Sequence, residues 1–184
     1  MNDVEHLRLD LQKLYDWSFD WLMLFNIEKC KSLHFCYKNA KSIYSLGGDV
    51  VKTEDEEKDL GIIVAQTKFS SQCVAAAKSA NKTLGMISRT FVKDKEFMLR
   101  QYQTLVRPKL EYCVQAWGPY LRKDIDLLEK VQKRATRLII SNKGLTYGER
   151  LTNLGLTTLE TRLRGNLIEV FKTFKGLNDV KYWT

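Results

Sequence analysis

Lys130, Lys133, Arg134 and Arg137 recur at i, i+3, i+4 and i+7. On a helix that spacing gathers four cations on one face, where they can neutralise successive phosphates. The same pattern also fits a plain solvated helix face, and the adjacent Glu129 weakens the field. No catalytic grouping accompanies these cations. The 184 residues hold no G-x-S-x-G elbow, no H-E-x-x-H and no G-x-x-x-x-G-K-[ST] phosphate loop, and Gly47-Gly48 without a following helix marks a turn. Histidine occurs only at 6 and 34, and the four cysteines lack C-x-x-C spacing, which excludes a zinc finger or ribbon. Cys30, His34 and Cys36 are close in sequence but lack a fourth ligand, so they read as packing residues, and the thiols are expected to be reduced and mostly buried.

The elements that must carry these residues follow from periodicity. Val4, Leu7, Leu11, Leu14 and Trp21 give an amphipathic helix over 4–22. Leu33, Phe35 and Tyr37 then alternate with Ser32, His34 and Cys36, the period of a strand with one buried face. A second strand is expected near 43–46, a turn at Gly47-Gly48-Asp49, an acidic loop over 53–57 and an apolar strand over 60–65. From Ser70 the pattern turns helical. Cys73, Ala76, Ala77, Ala80, Leu84 and Ile87 form one stripe, with Lys78, Asn81, Lys82 and Arg89 away from it. Asp94 caps a helix with the stripe Leu99, Tyr102, Val106, Leu110, Cys113 and Trp117, either one helix kinked at Pro108 or two helices broken there. A third stripe runs over 124–140 through Ile125, Leu128, Val131, Ala135, Leu138 and Ile139. Thr146 with Glu149, and Thr157 with Glu160, have capping-box spacing, and the final helix carries Leu159, Leu163, Leu167, Val170, Phe171 and Phe174. The fold class expected is α+β, mostly helical: an amino-terminal helix and small antiparallel sheet over 1–66, a basic helical bundle over 67–176 and a frayed tail over 177–184.

With 44% hydrophobic residues and only two prolines, the chain has material for a core and is neither collagen-like nor disordered. Its net charge of +8 is unevenly spread. Residues 1–66 hold 8 basic and 12 acidic side chains (−4), and 67–184 hold 22 and 10 (+12). A field of that kind is expected of a surface that meets phosphates. The acidic first residues do not resemble a signal peptide, and no window has ~18 uninterrupted apolar residues, so an intracellular location, nucleus or cytoplasm, and no membrane partner are expected.

Four blocks stand in order: DWSFDWLMLFNIEKCKSLHF, EEKDLGIIV, LVRPKLEYCVQAWGPYLRKDIDLLEKVQKRATRLI and LGLTTLETRLRGNLIEVFKTFKGL. Together they resemble the carboxy-terminal part of reverse transcriptases from jockey-like non-LTR retrotransposons, over nearly the whole chain. The resemblance implies a palm-end remnant followed by thumb and connector helices. It makes Lys29, after Phe25-Asn26, the lysine that approaches the incoming triphosphate and donates a proton to the pyrophosphate. It makes Leu60-Gly61 part of the primer grip, where a missing side chain admits another backbone. The basic helices, with Lys78, Lys82, Arg89, Lys130, Lys133, Arg134 and Arg137, would close on the backbone of an RNA–DNA or DNA template–primer duplex.

The family holds two metal ions on aspartates, including an adjacent pair, and no Asp-Asp occurs in these 184 residues. Magnesium is therefore expected only of the intact polymerase, and the chain reads as a truncated, inactive fragment that keeps a binding surface. Two other readings stay open. One is a helical interaction module or non-functional remnant, self-associating through exposed palm surface. The other is an enzyme built on Lys29 or Cys30.

Overall fold

A computed structural model describes residues 3–36, 38–65, 69–90, 94–140 and 144–177, and the chain divides into two units, Met1–Lys68 and Phe69–Thr184. Among the described residues helices predominate and short strands are confined to the first unit, so the fold is α+β and mostly helical.

In the first unit, α1 (Asp3–Asp20) starts with Asp3 and Glu5, carboxylates that suit the positive end of a helix dipole. It ends in a Schellman turn. Leu22 takes a left-handed φ of 54°, its N–H donates to Phe19 O at 3.1 Å, and Met23 N–H donates to Ser18 O at 2.8 Å. Trp21, expected on the apolar stripe, lies past the helix end and is exposed. Leu7, Leu11 and Leu14 face a cleft of about 470 Å³ with Phe25, Leu33, Leu46 and Val51.

The strands form three two-stranded ladders. β1 (Lys31–Leu33) and β4 (Lys52–Glu54) pair in parallel, whereas β2 (Ser45–Leu46) with β3 (Asp49–Val50), and β5 (Glu56–Asp59) with β6 (Ile62–Ala65), are antiparallel hairpins. Gly47 and Gly48 turn the first hairpin with φ of 63° and 92°. Glycine is also needed at 47 because a Cβ there would lie 2.1 Å from the Tyr15 ring. The acidic run expected as a loop instead supplies β4 and β5, since ladder bonds use backbone groups and leave most of these charged side chains in solvent. The strand expected over 33–37 stops at Leu33. Cys36 turns the chain at φ 74°, and His34 is buried at 4% exposure while Phe35 stands at 46%. Tyr37 lies outside the described residues.

In the second unit, α2 (Ser70–Thr90) buries all six residues of its expected stripe. Ala76, Ala77 and Ala80 let neighbouring helices approach closely. Asp94 caps α3 (Lys95–Gln101) by accepting from Phe97 N–H at 2.9 Å. A π-helical turn, Tyr102–Val106, then leads directly into α4 (Arg107–Glu111). The wider turn precedes Pro108, which has no N–H to give, so the helix continues through the proline. It breaks five residues later, where Cys113 is left-handed at φ 52° before α5 (Val114–Trp117). The break shifts the stripe by one residue: Val114 and Trp117 are buried and Cys113 is exposed. At the other end Met98, not Leu99, is fully buried. Of the four free thiols only Cys73 is buried, contrary to the expectation for most of them.

α6 (Arg122–Ile139) lies against α2 and carries Leu128, Val131, Ala135 and Ile139 into the core. Thr146 and Glu149 form the expected capping box of α7 (Tyr147–Leu154), which closes in a Schellman turn on Gly155. The second expected box does not form. The cap of α8 (Leu159–Phe174) is Thr158, one residue later, and Glu160 pairs instead with Arg122 at 3.1 Å. Leu159 and Leu163 are buried, but Leu167, Phe171 and Phe174 on the same expected stripe are exposed. Gly176 and Leu177 complete a Schellman turn rather than fraying, and 178–184 lie outside the described residues.

Candidate nucleic-acid interface

α2 and α6 run side by side in the same direction. Ser70 Oγ, in the first turn of α2, donates to Asp124 Oδ2 in the first turn of α6 at 2.6 Å. Asn81 lies 11 residues after Ser70 and Arg134 lies 10 after Asp124, and there Arg134 donates to Asn81 Oδ1 at 3.3 Å. The two helices thus stay in step for three turns, and their outer faces meet along one seam. Lys78, Lys82 and Arg89 are exposed on α2, and Lys130, Arg134 and Arg137 are exposed on α6. Gly85 lies on the α2 stripe between Lys82 and Arg89, nothing would touch a Cβ placed there, and Arg89 Nε folds back to its carbonyl at 3.0 Å.

The fourth cation of the α6 run is turned away. Lys133 lies about 100° around the helix from Arg134. It is half-buried, with Nζ 5.3 Å from the centroid of the Tyr147 ring, a cation–π contact. The quartet read from spacing therefore divides into three outward cations and one that joins α6 to α7.

The acids of α6 do not cancel this face. Asp124 is bonded to Ser70, and Asp126 pairs with Arg122 at 3.2 Å. Glu129, expected to weaken the field, is buried at 8% exposure. It accepts from Tyr147 Oη and from Leu159 N–H at 3.0 Å, so its charge is directed onto the first turn of α8. Beside it, Gln132 at 0% exposure accepts from Tyr102 Oη at 2.7 Å and donates to Tyr147 Oη at 3.0 Å and Thr157 O at 2.9 Å. Burial pushes the Tyr102 and Tyr147 phenols above their ordinary value, Tyr147 with help from its bond to Glu129. Burial pushes the Cys73 thiol up to about 12, with Asp124 adding to the shift. Sequence reasoning missed this network. The signal available was Gln132 itself, a polar residue four after Leu128 on the apolar stripe, where it needs partners.

Lys29, Leu60 and Gly61 belong to the first unit. Lys29 ends a 3₁₀ turn, Ile27–Lys29, its N–H donating to the Asn26 side chain at 3.3 Å, and its own side chain is exposed. Leu60 and Gly61 are the two turn residues of the β5–β6 hairpin, at φ 46° and 87°, and Leu60 is 83% exposed. An exposed leucine in a left-handed turn position is a local strain of the kind that asparagine or glycine would relieve.

Among the described residues no three His, Cys, Asp or Glu side chains converge as a metal site, and no helix is long and apolar enough to cross a membrane. Compared with protein-family models, curated proteins and solved structures, the chain matches none.

Proposed function

We propose that this chain is a segment of a non-LTR retrotransposon reverse transcriptase whose helical unit holds a template–primer duplex by its sugar–phosphate backbone. The observation that carries this reading is the pair of cationic ridges on α2 and α6, joined at Arg134–Asn81, with the acids of α6 turned inward or paired. Neighbouring helix axes lie about 8–10 Å apart, a separation comparable with a duplex groove. Contacts from lysine and arginine tips to phosphates position a duplex without reading its sequence. Gly85 leaves bare backbone on the α2 ridge, and it costs about 1 kcal/mol against alanine with no packing reason for it. Close approach of another backbone is a use for that gap. The donor set of the described residues does not fit a two-metal centre, so the proposal assigns no chemical step to this chain.

Fluorescence anisotropy with an RNA–DNA hybrid tests the reading. Six exposed cations set a salt slope no steeper than about −5, and reversing Lys130, Arg134 and Arg137 to glutamate should flatten it by nearly 3. Gly85→Ala should weaken binding while leaving the fold at least as stable. Affinity no better than that of an unrelated basic protein, or a slope unchanged by the three reversals, would sink the proposal.

A further inference from the structure

We propose that the cleft between α1 and the strands of the first unit binds a small neutral molecule, an apolar body carrying one hydroxyl, with His34 as the hydrogen-bond partner of that hydroxyl. The cleft is lined wholly by residues of the first unit, so the inference does not rest on nucleic-acid binding by the second.

His34 is 4% exposed, yet among the described residues no group hydrogen-bonds either nitrogen of its ring. Ser18, the other buried polar residue described in the unit, does have a partner, its Oγ donating to Tyr15 O at 2.7 Å. The imidazole nitrogens are not sealed in the interior. Among the described residues every fully enclosed side-chain nitrogen or oxygen is hydrogen-bonded, so an unbonded nitrogen of His34 must keep some access to solvent. His34 lines the cleft, and its remaining surface opens there. Its ring stands 6.3 Å from that of Tyr44, centroid to centroid, and Tyr44 lines the same cleft. The site thus offers hydrogen-bonding capacity that the fold leaves unused, in a place where little else can satisfy it.

Three properties of the cleft select the ligand. The first is its walls. Leu7, Leu11 and Leu14 of α1 line it together with Leu33 and Leu46 of the strands, so most of a bound molecule meets carbon. The second is size. About 470 Å³ lies within the ordinary range of small-molecule pockets, and two fused aromatic rings fit. The third is charge. Residues 1–66 hold 8 basic and 12 acidic side chains, net −4, a field that opposes an anion. Among the described lining residues there is no carboxylate to pair with a cation, and the one charged side chain is Lys31. An ionic ligand would leave its charge poorly paired among leucines, which is costly. A neutral imidazole donates from one nitrogen and accepts at the other. A hydroxyl also does both, and it is the neutral group that matches either nitrogen.

Amide NMR spectra of the isotope-labelled full chain, titrated with β-naphthol, naphthalene and naphthoate, test the proposal. β-Naphthol should shift amides around Leu7–Leu14, Cys30–His34 and Tyr44–Val51 and leave those of α2 and α6 in place. Naphthalene should shift the same amides with about three- to tenfold weaker affinity, the worth of one neutral hydrogen bond. Naphthoate should bind no better than naphthalene. In His34→Phe, which keeps a ring beside Tyr44 but has no nitrogen, β-naphthol should lose its advantage while naphthalene binds as before. Leu11→Trp, which fills the cleft from α1, should abolish saturable shifts by both, with an unchanged circular dichroism spectrum. The comparison of ligands on the unaltered chain decides the role of the hydroxyl even if His34→Phe disturbs the unit. No saturable shift up to the solubility limit, or shifts scattered over both units, would overturn the proposal. So would equal affinity for β-naphthol and naphthalene, tighter binding of naphthoate, or a folded His34→Phe chain that still prefers β-naphthol.

Discussion

Gln132 has its amide spent on Tyr102, Tyr147 and Thr157, all inside the second unit. Leucine of similar volume would strand the Tyr102 phenol and the Thr157 carbonyl, Tyr147 keeping its bond to Glu129, so Gln132→Leu should cost about 2–3 kcal/mol in urea denaturation despite being more apolar. A loss under ~0.5 kcal/mol would mean that the network contributes little. Cys73, Tyr102 and Tyr147 are all held protonated by burial. A raised value in the folded state means that the fold binds the proton more tightly than the unfolded chain does. The stabilisation is fully present below the ordinary thiol and phenol values and is lost as pH rises above them. Urea midpoints should thus fall steadily from about pH 9 upward, with Cys73 unreactive to thiol reagents until the unit opens. Midpoints flat across that range would contradict the assignment.

At the scale of elements, local signals behaved unequally. Asp94 and the Thr146–Glu149 box cap the helices that their spacing implied, because a cap is a bond within four residues and needs nothing from the rest of the chain. Thr157–Glu160 had the same spacing and failed: the Thr157 carbonyl is taken by Gln132 and Glu160 by Arg122, so the helix starts at the next threonine. Left-handed residues escaped sequence reading for a related reason. Leu22, Leu60 and Cys113 are not glycines, yet each ends an element. Leu22 is 88% exposed at the Schellman position of α1, and a leucine there bears about 1 kcal/mol of backbone strain. Leu22→Gly should accordingly stabilise the first unit by up to about 0.5 kcal/mol, the relief of strain being partly offset by the freer unfolded chain. Destabilisation in thermal melts would show instead that the leucine side chain is held by contacts.

Across the whole molecule, burial is lopsided. Among the described residues of the first unit only Ser18, His34, Leu46 and Ile62 are buried, while the second unit closes around Trp117, Tyr102, Leu84, Ile87 and many more. Hydrogen exchange should therefore deprotect α1 and both hairpins well before α2 and α6, which share the best-packed seam. Equal protection in the two units would contradict that ranking. The sequence by itself determined the class of the fold, the helices of the second unit and the cationic character of α2 and α6, because helical periodicity and side-chain charge are local and repeat every turn. Tertiary structure decided the rest. It divided the α6 quartet by turning Lys133 onto Tyr147, hid Glu129 beneath α8, made strands of an acidic run, and buried only half of the α8 stripe. Each of these outcomes depends on a partner more than a dozen residues away or on a backbone pairing, and neither leaves a periodic mark in the chain.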